Sequence, residues 1–189
     1  MSSEKDLAVE IFKTKIEVSL DYGLDLENRI IQLIGEVDEH MFGFLDSALT
    51  ILEAQSRKGI TVRINSLGGS TYDGTAIVSR IRASKCHVTT ECYGAAMSAA
   101  SMILACGNRR RISSLGWVMW HEAAYDVGGK HSDIKHFARQ VDREELAWAS
   151  AMAAFTLRDQ QFWKAIGEQK DHYFSPEQCL ELGIVDEIF

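Results

Sequence analysis

Apolar and polar positions alternate with two different periods along this chain. The run Arg29-Ile30-Ile31-Gln32-Leu33-Ile34-Gly35 is short, apolar and closed by glycine, which predicts a buried strand. Asp38 then stands where a helix cap is needed, and Met41, Phe44, Leu45, Leu49 and Leu52 recur at helical spacing up to Gln55. Gly59 closes that helix, and the alternating, β-branched Ile60-Thr61-Val62-Arg63-Ile64-Asn65 predicts a second strand. A Gly68-Gly69 turn follows, then a helix over Thr71 to Ser84, a strand over His87 to Cys92 and a helix over Ala96 to Cys106. Strands alternating with helices in this way predict βαβ units around a mostly parallel sheet, an α/β fold.

Beyond Gly107 the pattern loosens. Trp117-Val118-Met119-Trp120-His121 reads as a strand ending on histidine, and Asp126-Val127-Gly128-Gly129 as a turn. Ser132 to Ile166 is helical in pattern, and an unbroken helix of that length would span roughly 50 Å at 1.5 Å per residue. Such a helix is expected to project and pack against another subunit. Ser175-Pro176-Glu177 starts another helix, with serine as cap and proline in the first turn. Gly183 ends it, and Ile184 to Ile188 reads as a last strand. Residues 1–25 are mixed in charge and weakly patterned, an N-terminal arm; residues 26–189 read as one domain.

Composition narrows the function classes. At 189 residues the chain can bury a real core, and its net charge of −7 argues against a phosphate-backbone binder. Arg109-Arg110-Arg111 follows a Gly-Asn pair and reads as a solvated turn or a pairing site for a neighbouring subunit. No run reaches the ~18 apolar residues of a membrane span, so no membrane is expected. The polar start, Met1 to Lys5, lacks the apolar stretch of a signal peptide. Cys86, Cys92, Cys106 and Cys179 show no CxxC spacing and read as buried free thiols of a cytoplasmic protein. The histidines lack metal-ligand spacing, so neither metal nor cofactor is expected.

The candidate chemistry centres on Cys92-Tyr93-Gly94-Ala95-Ala96-Met97-Ser98-Ala99-Ala100-Ser101. A hydroxyl sits among small residues where an apolar strand meets an apolar helix, so another backbone can approach it, and the helix start turns free N–H groups towards it. A serine nucleophile needs a base, an acid behind the base and donors for an oxyanion. His121 at a strand end is the candidate base, with His172 its rival. Asp171, before the last helix, is the candidate acid. Gly68 and Gly69 can present backbone amides that no side chain obstructs. Each of these has a plainer reading: helix packing, a strand-end histidine, a solvated loop aspartate and a tight turn.

Taken in order and spacing, these segments resemble the ClpP family of serine peptidases over about Asp25 to Ile188. Ile64-Asn65-Ser66-Leu67-Gly68-Gly69 is similar to the family's Ile-Asn-Ser-Pro-Gly-Gly, and Gly94-Ala95-Ala96-Met97-Ser98 to its Gly-Gln-Ala-Ala-Ser. Ile103-Leu104-Ala105-Cys106-Gly107 resembles the Leu-Leu-x-Ala-Gly that follows. Val118-Met119-Trp120-His121 looks like Val-Met-Ile-His, and Lys170 to Glu177 like the segment carrying the family's aspartate. Glu181-Leu182-Gly183-Ile184-Val185-Asp186 is similar to its usual ending.

The resemblance implies a crotonase-like (ClpP-type) α/β spiral of ββα units with a projecting handle helix, here about 126–160, and 1–25 as an arm or axial region. It implies Ser98, His121 and Asp171 as catalytic residues, and the amides of Gly68 and Ala99 as oxyanion donors. It further implies an unfolded protein or peptide as substrate, a homo-oligomer of one or two heptameric rings, and an AAA+ unfoldase partner that spends the ATP; the chain has no GxxxxGK[ST] of its own. The chain departs from the pattern at several places. Leu67 replaces proline, Met97 precedes the serine in place of alanine, Ala99-Ala100 replace Met-Gly, Glu122-Ala123 replace Gln-Pro, and Lys170 replaces a ring-linking arginine. Two other readings stay beside this one. The altered nucleophile turn and N-terminal region suit a non-hydrolytic or regulatory ring subunit, and the wider crotonase group contains acyl-CoA enzymes with Glu or Asp bases. A phage capsid or scaffold processing protease is a variant of the peptidase reading.

Overall fold

The computed structural model describes residues 6, 7, 9–14 and 23–189. Most of the expected arm therefore lies outside the described residues, apart from helical residues at 6, 7 and 9–14 and the first strand. In chain order the elements are β1 (Leu24–Asp25), β2 (Ile30–Val37), α1 (Glu39–Gln55), β3 (Ile60–Gly69), α2 (Thr71–Arg82), β4 (Val88–Met97), α3 (Ala99–Ala105), β5 (Arg109–Ile112), β6 (Trp117–Trp120), α4 (His131–Phe155), α5 (Gln160–Gly167), β7 (His172–Phe174), α6 (Pro176–Leu182) and β8 (Glu187–Ile188). The sheet runs β1-β2-β3-β4-β5-β8, and β6 pairs with the far end of β4 and carries β7. The β1–β2 and β6–β7 pairs are antiparallel and the others parallel, the mixed α/β architecture that the alternating pattern predicts.

The periodicities explain the packing. Ile31, Leu33, Val62, Ile64, Val88 and Cys92 are buried along the central strands. The Asp38 carboxylate accepts the Met41 N–H at 2.8 Å, and α1 buries Met41, Leu45, Ala48, Leu49 and Leu52 on one stripe. All seven residues of α3 are buried, as expected of a helix that is apolar all round. The four cysteines are buried free thiols, and burial pushes those of Cys92, Cys106 and Cys179 up to about 12.

Several boundaries differ from the pattern, each for a tertiary reason. Gly68-Gly69 is the end of β3 and not a turn. Gly69 pairs with Val37 so closely that a Cβ would stand 2.3 Å from the Val37 carbonyl oxygen. Strand β4 continues past Cys92 to Met97 because β6 offers Trp117–Met119 as a ladder to Ala95–Met97, so the helix starts at Ala99. Between Cys92 and Ala96 the β3–β4 register shifts, and the Asn65 side-chain oxygen fills the irregularity by accepting the Ala95 N–H at 3.1 Å. Gly94 permits this, since a Cβ there would meet that oxygen at 2.7 Å.

Arg109–Ile112 is a strand and not a solvated turn. Arg110 reaches the Asp186 carboxylate and the Gly183 carbonyl, at 3.0 and 2.7 Å, and also the Phe155 carbonyl, while Arg111 meets Glu91 and Glu187. The helical run 132–166 is two helices with a corner between Phe155 and Gln160, and the last strand shrinks to Glu187–Ile188. Of the residues of α4, only Ala149 and Met152 are buried, so its N-terminal half stands away from the body. Among the described residues no helix is long and apolar enough to cross a membrane.

Candidate active site

The end of β4 delivers Ser98 on an unusual backbone, with φ 52° and ψ −125°. That region disfavours L-residues, and the contacts on either side hold it. The Ser98 N–H donates to the Met119 carbonyl at 2.8 Å, and both the N–H and the hydroxyl of Ser101 donate to the Ser98 carbonyl, at 3.0 and 2.7 Å. The result is a sharp strand-to-helix turn that lifts the Ser98 hydroxyl clear of the sheet. That hydroxyl makes no capping bond to α3 and lies 2.8 Å from His121 Nε2. His121 follows β6 directly, so the β4–β6 ladder sets this approach. Its other ring nitrogen, Nδ1, lies 3.3 Å from Asp171 Oδ1, within ion-pair reach. Asp171 immediately precedes β7, whose pairing with β6 places His172 across from Trp120. The structure thus unites an alcohol, an imidazole and a carboxylate from positions far apart in sequence, and His121, not His172, meets the hydroxyl. The Asp171 side chain is 55% exposed and the His121 side chain 25%, so the line runs from the interior out to solvent.

Gly68 lies against the serine turn. With φ +101°, a Cβ at this position would meet Ser98 Cβ at 2.6 Å, the Met97 carbonyl at 2.8 Å and the Ala99 nitrogen at 3.3 Å. Only glycine lets the two backbones come this close. The Ala99 amide sits in the first turn of α3, where no helical carbonyl precedes it. The Gly68 amide donates to the buried Ser66 hydroxyl at 3.1 Å, a bond that nothing in the sequence signals.

Ser98 and His121 open onto a cavity of about 50 Å³. Three tryptophans line it: Trp120, Trp148 and Trp163, with ring centroids 6.3 Å apart for the first pair and 5.6 Å for Trp120 and Trp163. Sequence reasoning missed this cavity. Most of its residues come from β6 and the segment that follows it, from α4 and from α5, and only the corner after α4 folds α5 back beside β6. Trp148 and Glu144-Glu145, apolar and acidic positions mixed on a projecting helix, were the one signal available. Burial lifts the Glu145 carboxyl above the usual carboxylate range, and the neighbouring charges of Glu122, Asp142 and Glu168 push it the same way.

With that geometry in view, comparison with known families is decisive: the Clp protease family model matches residues 15–189. The chain belongs to the Clp protease family. The match runs from before β1 to the last residue, so every element that shapes the serine turn, the histidine strand and the cavity falls within the region shared with Clp proteases. Family membership makes the chain a Clp-type peptidase in general terms, and the mostly parallel α/β sheet with its outlying α4 is the architecture that goes with it.

Proposed function

We propose that the chain is a serine endopeptidase, the proteolytic subunit of a self-compartmentalised Clp-type protease that cuts unfolded polypeptides into short peptides. The observation that carries this reading is the 2.8 Å contact between the Ser98 hydroxyl and His121 Nε2 in a chain of this family. His121 takes the hydroxyl proton as Ser98 Oγ attacks the scissile carbonyl carbon. Asp171 orients the imidazole and stabilises it once it is charged. The amides of Gly68 and Ala99 donate to the oxyanion, a contribution of ~3 kcal/mol for a typical donor. The imidazolium then returns its proton to the leaving amine as the C–N bond breaks, leaving an acyl-enzyme that water hydrolyses by the same route. For Gly68 to serve, its N–H must leave or share the Ser66 hydroxyl.

The assembly belongs to the same proposal: a homo-oligomer of heptameric rings, single or stacked, fed by an AAA+ unfoldase in the cytoplasm. The outlying α4, with Ile134 and Leu146 exposed, supports packing against another copy. Residues 1–25 are proposed as the axial arm, 26–189 as the peptidase domain and about 126–160 as the handle.

The test combines a serine-directed fluorophosphonate, a fluorogenic peptide and native mass measurement on the purified protein. Labelling at Ser98, peptide hydrolysis and a ring-sized particle are expected. Ser98→Ala should abolish the label and lower hydrolysis by at least about a thousandfold. Hydrolysis that survives in Ser98→Ala, or a label on another residue, would sink the assignment. One observation favours a second reading, a non-hydrolytic or regulatory ring subunit: the Gly68 amide is already engaged by Ser66. A chain of that kind would form the ring and leave the fluorophosphonate unreacted.

A further inference from the structure

The cavity beside Ser98 combines two chemistries seldom found together in a side-chain pocket. Its floor is indole: Trp163 is fully buried, Trp120 nearly so, and Trp148 completes the wall. Its other feature is charge. Among the described residues that line it, four are glutamates and one is a lysine. Glu144 is occupied by hydrogen bonds from Tyr72 at 2.9 Å and Gln140 at 2.8 Å. Lys164 pairs with Glu168 at 3.5 Å, and both are about half exposed. Glu122 and Glu145 remain, and Glu145 Oε1 is buried without a hydrogen-bond partner among the described residues. A buried carboxylate oxygen of this kind is costly until a cation or donor reaches it. Burial holds the Glu145 carboxyl above its usual range, the charges of Glu122, Asp142 and Glu168 push it the same way, and a backbone hydrogen bond from Ala123 offsets only part of this.

A ligand that satisfies this cavity needs an apolar stem to cover the indoles and a positive end for the carboxylates. A hydrated metal ion fits poorly against three tryptophans, whereas an alkyl-ammonium or alkyl-guanidinium group gains both contacts, together with cation–π attraction from the indole faces. The position fixes which part of a peptide enters. Ser98 and His121 are themselves lining residues, so a peptide with its carbonyl at Ser98 Oγ has the side chain of that same residue at the cavity.

We propose that this cavity selects lysine or arginine as the residue whose carbonyl Ser98 attacks, with Glu145 the specificity residue and Glu122 supporting it. The proposal rests on the serine-peptidase reading above for its geometry and not for the cation site itself. It predicts peptides that end in a basic residue on the C-terminal side of each cut fragment.

The test uses the purified oligomer and fluorogenic peptides that differ only at that residue: lysine, arginine, or norleucine, which keeps the stem and lacks the charge. Lysine and arginine should exceed norleucine in kcat/KM by about tenfold or more, as expected for a desolvated charge pair. Glu145→Gln, and separately Glu122→Gln, should collapse that ratio. In parallel, n-butylammonium should change the tryptophan fluorescence saturably, and n-butanol should not. Norleucine cleaved as well as lysine, in protein that fluorophosphonate labels at Ser98, would overturn the proposal and leave the peptidase reading intact. Saturable butylammonium binding lost in Glu145→Gln, in protein that fluorophosphonate does not label, would support the cation site and overturn the peptidase reading. Absence of both the peptide preference and the fluorescence change would overturn the proposal outright.

Discussion

Ser98 carries its hydroxyl on a backbone conformation that costs about 1–3 kcal/mol for an L-residue. Three hydrogen bonds from two directions hold it there, one donated to Met119 and two accepted from Ser101. The strain has a chemical use: it keeps the hydroxyl out of the α3 cap and within reach of His121. If so, relieving the strain should stabilise the fold. Ser98→Gly and Ser98→Ala both remove the hydroxyl, but only glycine accepts φ 52° freely. Urea unfolding should place Ser98→Gly above Ser98→Ala by about 1 kcal/mol, since alanine keeps the strain. Equal stabilities would mean that the turn is not strained. At this scale much was legible in the sequence. Small residues around a hydroxyl, a histidine at a strand end and an aspartate before a capped helix are local signals. The positive φ of Ser98 and the bond from the Gly68 amide to Ser66 are not, because both come from the register between neighbouring strands.

Among the elements, those with long periodic stretches were the most legible. The pattern of α1, the alternation of β3 and the Ser-Pro start of α6 each survive in the structure, including the capping box at Ser175 and Gln178. What the sequence hid were elements created by partners. Arg109–Ile112 becomes a strand because β4 and β8 flank it, and β7 exists because β6 pairs with it. The corner between α4 and α5 was hidden too, since its residues keep a helical pattern. It is built on Thr156. The buried Trp163 indole N–H donates to the Thr156 hydroxyl at 2.8 Å, and that hydroxyl donates to the Met152 carbonyl at 2.7 Å. Asp159 then caps α5 by accepting the Phe162 N–H at 2.8 Å. Thr156→Val preserves shape and strands the indole donor in the core. The expected loss is about 1–3 kcal/mol in urea unfolding, with a shift in tryptophan emission as Trp163 moves. A near-neutral result would mean that another acceptor serves Trp163.

Across the whole molecule the acidic excess meets two opposed kinds of carboxylate. Hydrogen bonds from Arg110 hold the Asp186 carboxyl below its ordinary value of 3.8, and that ion pair joins β5 to the segment between α6 and β8. Glu53 resists burial through hydrogen bonds from Arg80 and Ser84, and it too ends below its ordinary 4.5. The stability these two groups supply is present above their unfolded values and is lost as pH falls through the depressed folded ones. Glu145 has the reverse sign. Burial raises its folded value, so the folded chain holds the proton more tightly than the unfolded chain does, and stability drains away as pH rises from about 4.5 through that raised value. Removing the ionisable group should therefore help at neutral pH and do little in acid. The thermal midpoint of Glu145→Gln should exceed that of the parent near pH 7, and the gap should close as the pH approaches 4.5, where the parent carboxyl begins to be protonated in both states. A gap that widens on acidification would show that a cation, not burial, governs Glu145 in the assembled protein. The energy that a basic side chain could recover there would then already be spent within the fold.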